Sequence, residues 1–467
     1  MSQLKGFCLA LLLLLPATSA AERAKVGRRP ILPVPPLILN EDTLLPPRVA
    51  QSGSPLNLEQ SYQWAYDHQP ALGSAQAKVA QARARLGQQY ALYGPSLSLV
   101  LDQNYSRQSP PLLLGFSQNL LDSSSLSLEL NQTLFDFGQR SALVDAYRES
   151  LRAALFSWQN AWVQQAQKVQ QAYVEQSRAE YLLAVALDNE ARVSSYAEVS
   201  ERFYKAGIKS KIDVTQVQIQ KAQAQVTVAQ AQNLVGTARA NLAQAMGTDV
   251  AELKTRSLRD EIFEPYSLPA HSQALEQLRH NPQVLALEAQ VRFNEVSSQA
   301  QWKQLLPTVG GTASYGGQGF DVPTEVRVWT IGLTVNFPFY QPAVRPTAEL
   351  FDATAEQFKK DRDSAVLLLA QQLETAYANV AGAENRSNFA AREVSIALKN
   401  FQMAYRRYSS GLSDINELIN ARSFLYAAQN DYVNALHDKK VAEGQLRLTQ
   451  GYQPEPMIKI DGLEYAP

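Results

Sequence analysis

Two hydrophobic patterns alternate along this chain. In some stretches apolar residues return every three or four positions, the spacing of one helix face. In others they return every second position, the spacing of one strand face. The helical pattern comes first, over residues 57–93, and restarts at Pro70, because proline is tolerated in the first turn of a helix. Gly94-Pro95 ends it. Leu97, Leu99 and Leu101 then alternate with Ser96, Ser98 and Asp102, and Leu126, Leu128 and Leu130 with Ser125, Ser127, Glu129 and Asn131. A long helical pattern follows over 138–206, its seam marked by Leu151, Leu155, Trp158, Trp162, Ala166, Val169 and Tyr173. A shorter one covers 211–246, with Ile212, Ile219 and Val226 on one face and Val228, Val235 and Leu242 on another.

The whole order then comes again. Pro282 restarts a helix that stops at Pro307, and these prolines stand the same distance beyond Pro70 and Pro95. Trp329, Ile331, Leu333, Val335 and Phe337 alternate with Val328, Thr330, Gly332, Thr334 and Asn336, while Val309, Ala313 and Tyr315 make a weaker fourth strand. A long helix at 343–410 and a shorter one at 415–449 close the second copy. The junctions between long and short helices match residue by residue: Arg202 with Arg406, Tyr204 with Tyr408, Gly207 with Gly411, Asp213 with Glu417. Glycine takes the left-handed backbone that ends a helix, and Ser210 with Asp213 three residues on reads as the cap of the next, so each junction is the tip of a helical hairpin. The short helices end at the matching glycines Gly247 and Gly451. An internal duplication accounts for all of this. It divides the chain into a leader at 1–20, a proline-rich segment at 21–56, a first repeat at 57–247, a connector at 248–270, a second repeat at 271–451 and a tail at 452–467. The strand hairpins fall at 96–135 and 308–337, the tips at 204–213 and 408–417.

Alternation over roughly ten residues, one face apolar and the other small or polar, is the pattern of a transmembrane β-strand; a half-buried strand of a soluble sandwich is the competing reading. On the first reading Leu126, Leu128, Leu130, Trp329, Ile331 and Leu333 face lipid, and Ser127, Glu129, Thr330 and Thr334 face a lumen. Four strands cannot close a barrel, and open edges in hydrocarbon leave backbone groups unpaired. Two, three or four copies would close one.

Composition narrows the remaining choices. Lys5, the apolar run at 7–15 and Thr18-Ser-Ala20 form a secretory signal. The single cysteine, Cys8, lies inside that run, so the exported chain is expected to have no thiol and no lipid-modified first residue. No apolar run is long enough for a membrane-spanning helix. With 43 basic and 44 acidic residues, the charge balance argues against a nucleic-acid partner. His68, His271, His280 and His437 lack metal-ligand spacing. There is no phosphate loop and no nucleophile with a base, so neither enzymatic activity nor a cofactor is expected.

The doubled helix–hairpin–helix–tip–helix order, the Leu-Asn-Gln-Thr-Leu-Phe-Asp-Phe-Gly138 run from strand to helix and the Tyr-x-x-Gly tips resemble the TolC-like outer-membrane efflux proteins over residues 57–451. The resemblance implies an α+β membrane protein: a homotrimer with a 12-stranded barrel in the outer membrane and a periplasmic tunnel of long helical hairpins. A periplasmic adaptor and an inner-membrane transporter complete such a conduit. It also implies that the tips, Gly207, Ile208, Gly411 and Leu412, dock the adaptor. Asp213, Tyr408 and Glu417 then form the periplasmic gate, with an arginine position replaced by Ser413 and a second acid by Asn420. Capping of a helix is the competing role for Asp213. The other class compatible with long hairpins is a periplasmic adaptor or coiled-coil structural protein of an export complex, which would lack the two amphipathic strand pairs.

Overall fold

The computed structural model of the protein describes residues 44–48, 54–108, 119–205, 207, 209–253, 256–258, 262–263, 267–319, 326–409, 412–452 and 454. The leader, most of the proline-rich segment, the centres of both strand hairpins and most of the tail lie outside these residues.

A three-residue strand, β1 (Ser54–Leu56), leads into α1 (Leu58–His68). Asn57 opens that helix with a reciprocal cap: its side chain accepts from the Gln60 N–H at 2.6 Å, and the Gln60 side chain accepts from the Asn57 N–H at 3.1 Å. α2 (Pro70–Ala91) starts on its proline, and β2 (Ser96–Gln108), β3 (Asn119–Phe135), α3 (Gln139–Lys205) and α4 (Lys211–Met246) complete the first repeat. The connector holds two short elements absent from the sequence reading, α5 (Val250–Leu253) and β4 (Arg256–Leu258), the latter parallel to β1. The second repeat runs through α6 (His271–Gln277), α7 (Pro282–Lys303), β5 (Thr308–Gly319), β6 (Val326–Asn336), α8 (Val344–Ser409) and α9 (Ile415–Thr449). Pro346 sits in the first turn of α8, where its missing N–H costs nothing. At about 1.5 Å per residue, α3 and α8 are each roughly 100 Å long.

The short helices stack end to end. Where α4 stops at Gly247, the side chain of Gln69 donates to the carbonyls of Gln244 at 3.0 Å and Ala245 at 3.1 Å, satisfying acceptors that a helix end leaves orphaned. The chain then turns into α2 at the neighbouring Pro70. In the second repeat Asn281, just before Pro282, donates to Thr449 O at 3.4 Å beside Gly451. Two composite rods result, α2 on α4 and α7 on α9. α3 packs between them, and α8 packs on the outer side of the α7–α9 rod.

The core follows those seams. Trp162, Val169, Tyr173, Leu242 and Met246 are buried around Leu56, and Val193, Tyr196, Val217, Phe401, Tyr408, Ile415 and Leu418 around the tips. Residues 44–48 lie on the body as a strap. Leu45 is buried, Leu44 O accepts from Gln429 of α9, and Arg48 pairs with Glu180 of α3 at 3.2 Å while donating to Leu258 O of the connector.

Where α3 meets α9, Glu175 accepts from Arg178 at 2.6 Å and from His437 at 3.1 Å. Burial alone would raise its pKa. The hydrogen bonds from His437 and Arg178 overcome that and lower it to about 2. A carboxylate depressed in the folded state stabilises the fold above its ordinary pKa and loses that contribution as pH falls through the folded value. The wild-type protein is therefore expected to lose about 1 kcal/mol at this joint between pH 4.5 and 2, solvent screening having reduced the full linkage energy. Glu175→Gln removes the loss. Thermal melting followed by circular dichroism across that pH range checks it, and an identical acid profile for the variant excludes Glu175 as its source.

Candidate functional site

The four long strands form one antiparallel sheet in the order β2-β3-β5-β6, so the two hairpins join edge to edge and β2 and β6 are left at the ends. Residues directly opposite in such a sheet share a face. Leu99 is opposite Leu128, Leu128 opposite Tyr315 and Tyr315 opposite Trp329; Leu97, Leu130, Ala313 and Ile331 form the next row. Leu101 and Leu126, then Leu333 and Val335, extend the same surface. The sheet thus carries one apolar face across all four strands. It stands open: Ile331 is 76 % exposed, Leu99 71 %, and even Leu126 in a central strand 38 %. The other face carries Ser96, Ser98, Asp102, Ser127, Glu129, Ser314, Thr330 and Thr334, with acids as its only charges among these. All six strand residues singled out as lipid-facing lie on the first surface, and Ser127, Glu129, Thr330 and Thr334 on the second.

At the helical end of the sheet sits a collar of aromatic rings, of which the sequence reading used Phe337 only as a strand position and Phe135 and Phe137 only as part of the run into the helix. Phe135 and Phe137 meet at 4.7 Å, Phe337 and Phe339 at 4.9 Å, and Phe339 and Tyr340 are almost wholly exposed. Their signal in the sequence is the clustering of aromatics at and just past the last strand residues. The turn beneath them is held by Asp136, which accepts from the N–H groups of Gly138 and Arg140 and pairs with the Arg140 guanidinium at 2.6 Å. Arg140 also lies over the Tyr93 ring and donates to Leu92 O, tying the start of α3 to the end of α2.

The two tips lie at the opposite end and touch each other. Lys209 of the first donates to Ser413 O of the second at 3.0 Å, and the rings of Phe203 and Tyr408 meet edge-on at 6.0 Å. Gly207 has φ +73, as a left-handed helix end requires, and Ser210 caps α4 by accepting from the Asp213 N–H at 3.4 Å. Asp414 caps α9. Ile208 and Gly411 are outside the described residues; Leu412 is 76 % exposed.

The three acid and tyrosine positions differ in their surroundings. Tyr408 is fully buried and its pKa is raised, chiefly by burial; the neighbouring Ser200 hydroxyl opposes this, and Asp213 and Asp414 add smaller rises. Neither hydroxyl completes a hydrogen bond among the described residues. Glu417 pairs with Arg407 at 3.2 Å. The Asp213 carboxylate has no ion-pair partner among the described residues, so the cap is made by Ser210 and leaves that charge available. Higher up, Arg422 of α9 donates to Asn189 of α3 and Gln220 of α4, a bridge between repeats that sequence spacing does not reveal.

The profile described as outer membrane efflux protein matches residues 62–248 and 273–451, one segment in each repeat. Protein CyaE of Bordetella pertussis is 25 % identical over 375 residues, 78 % of this chain and 78 % of that protein. The pyoverdine export outer membrane protein OpmQ of Pseudomonas putida is 25 % identical over 393 residues, covering 80 % of this chain and 81 % of OpmQ. Among solved structures, the outer-membrane channel OprN superposes with a TM-score of 0.73 at 20 % identity, over 84 % of this chain and 89 % of that one.

Proposed function

The chain belongs to the outer membrane efflux protein family, and from that premise we propose that it is the passive duct of a tripartite efflux or type I secretion system. It is a protein of the outer membrane, with its helices in the periplasm. Three copies supply twelve strands and close one barrel. Their helices form the tunnel below, and a periplasmic adaptor with an inner-membrane transporter delivers cargo and energy. The observation that carries this reading is the single apolar face running across all four strands and ending at two open edges. A sheet with such edges is tolerated in hydrocarbon only when further strands pair with it.

At the periplasmic end the adaptor docks on Gly207, Ile208, Gly411 and Leu412, and Tyr408, Asp213 and Glu417 form the gate. The ion pair of Glu417 with Arg407 is exposed and therefore weak, so in three copies Asp213 and Glu417 both contribute to the negative field at the entrance. The tips also supply the experiment. Leu412→Asp and Ile208→Asp are expected to abolish export while heat-modifiable oligomers still fractionate with the outer membrane. Export that persists in both variants places adaptor docking elsewhere. Wild-type protein that never yields such oligomers rejects the duct itself.

A further inference from the structure

One charge stands on the side of the sheet that is otherwise apolar. Arg327 of β6 is opposite Gly317, which is opposite Leu126, so it shares the face of Leu126, one row beyond Tyr315 and Trp329. Among the described side chains of that face it is the only ionised one. It is exposed, and it makes no hydrogen bond or ion pair among the described residues.

Its height on the sheet shows why a charge is tolerated there. β6 leads into α8 at its C-terminal end, so Arg327 is at the end far from the helices. From Trp329 to Phe337 the chain sets Ile331, Leu333 and Val335 on the same face. These are about nine residues, what a tilted strand needs to cross the hydrocarbon. Aromatic rings mark both limits: Phe337 with Phe339 at the helical end, and Trp329 directly opposite Tyr315 at the other. Arg327 lies two residues outside that band, about 7 Å along the strand and level with lipid headgroups.

We propose that Arg327 binds the phosphate of a lipid in the outer leaflet of the outer membrane. Its surroundings leave room for one. Gly317 opposite it and Gly319 further out carry no side chain, so a notch floored by backbone lies beside the guanidinium, with Trp329 as one wall. The planar guanidinium meets phosphate oxygens through two parallel hydrogen bonds. Tyr315 is its diagonal neighbour across the strand pair, within reach of a long side chain, and its ring is exposed. Its hydroxyl supplies a further donor. The acyl chains of the same lipid then run down over Trp329, Ile331 and Leu333, all more than 70 % exposed. A lipid phosphate satisfies both the cation and the apolar surface beneath it, whereas a free phosphate satisfies only the first.

The site rests on the proposal that this face meets lipid, and the test separates the two. Full-length oligomers purified in detergent are mixed with lipid A, a glucosamine-based lipid bearing two phosphates, and the lipid retained is counted by native mass spectrometry. Arg327→Gln is expected to weaken retention about tenfold or more, and Arg327→Lys, which keeps the charge and loses the planar fork, by less. The same lipid stripped of its phosphates should bind the wild type no better than lipid A binds Arg327→Gln. Inorganic phosphate should displace lipid A only at far higher concentration. Equal retention by wild type and Arg327→Gln, with normal heat-modifiable oligomers, overturns the site and leaves the lipid-facing sheet standing. Displacement by inorganic phosphate at matching concentration overturns the lipid as ligand. Wild-type protein that forms no heat-modifiable oligomers in the outer membrane overturns the lipid-facing sheet as well.

Discussion

Arginine at Leu128 is expected to remove most assembled protein from the outer membrane, whereas arginine at Ser127, one residue away, is expected to leave it in place. Leu128 lies between Leu99 and Tyr315 in the centre of the apolar face, and Leu333 lies on the same face of the outermost strand, two rows nearer the helices. A guanidinium at the bilayer midplane costs about 2–4 kcal/mol, a large share of the stability of most folds. Ser127 is on the opposite face with Glu129, to which its hydroxyl donates at 3.4 Å, so a cation there meets a polar surface and an acid. Quantitative blotting of heat-modifiable oligomers in outer-membrane fractions measures the contrast. Equal loss at both positions, or survival of both Leu128→Arg and Leu333→Arg, rejects the assignment of faces.

Gly247→Ala is expected to be far more damaging than Gly451→Ala, although the two glycines occupy the same place in the two repeats. Both have left-handed backbones, φ +71 and +80, which cost an alanine about 1–2 kcal/mol. Their surroundings differ. A Cβ on Gly247 would lie 2.8 Å from Gln69 Cα and 2.9 Å from His68 O, and neither backbone atom can give way without breaking the Gln69 cap on α4. A Cβ on Gly451 would meet nothing nearer than 3.5 Å. The added overpacking brings the first substitution to about 3–5 kcal/mol, and the second stays near the backbone cost alone. The temperature at which the helical signal is lost should fall about two to three times further for Gly247→Ala. Equal shifts would mean that the joint between α2 and α4 is not under steric constraint.

The main elements of the fold were legible because proline, glycine and a change of period punctuate them. The two long helices, the tips and three of the four strands announce themselves in this way. β5 is faint because Gly310, Gly311, Gly316 and Gly317 dilute its alternation, leaving Val309, Ala313 and Tyr315, and its register with β3 sets Ala313 and Tyr315 on the apolar face. β1 and β4 are too short for any period to register, and their pairing spans the whole first repeat. The same limit hid the ties between repeats. Nothing local in Lys209 or Arg422 points to a partner two hundred residues away, and Arg407 gives no sign of neutralising Glu417 until the tip is folded. The aromatic collar was visible as composition but carried no meaning until the strand ends were placed beneath it.

The strap at Leu44–Arg48 sets a fulcrum. It is fastened at once to α3 through Glu180, to the connector through Leu258 and to α9 through Gln429, so the repeats are held to each other at that level whatever happens beyond it. Below Glu180, α3 continues to Lys205 as an arm of about 38 Å packed on α4 and α9. A swing of roughly 10° about the fastening displaces the end of such an arm by about 7 Å, more than enough to part Lys209 from Ser413. A short piece of chain lying outside both repeats thereby marks the level from which any rotation of the lower helices would be levered toward the tips.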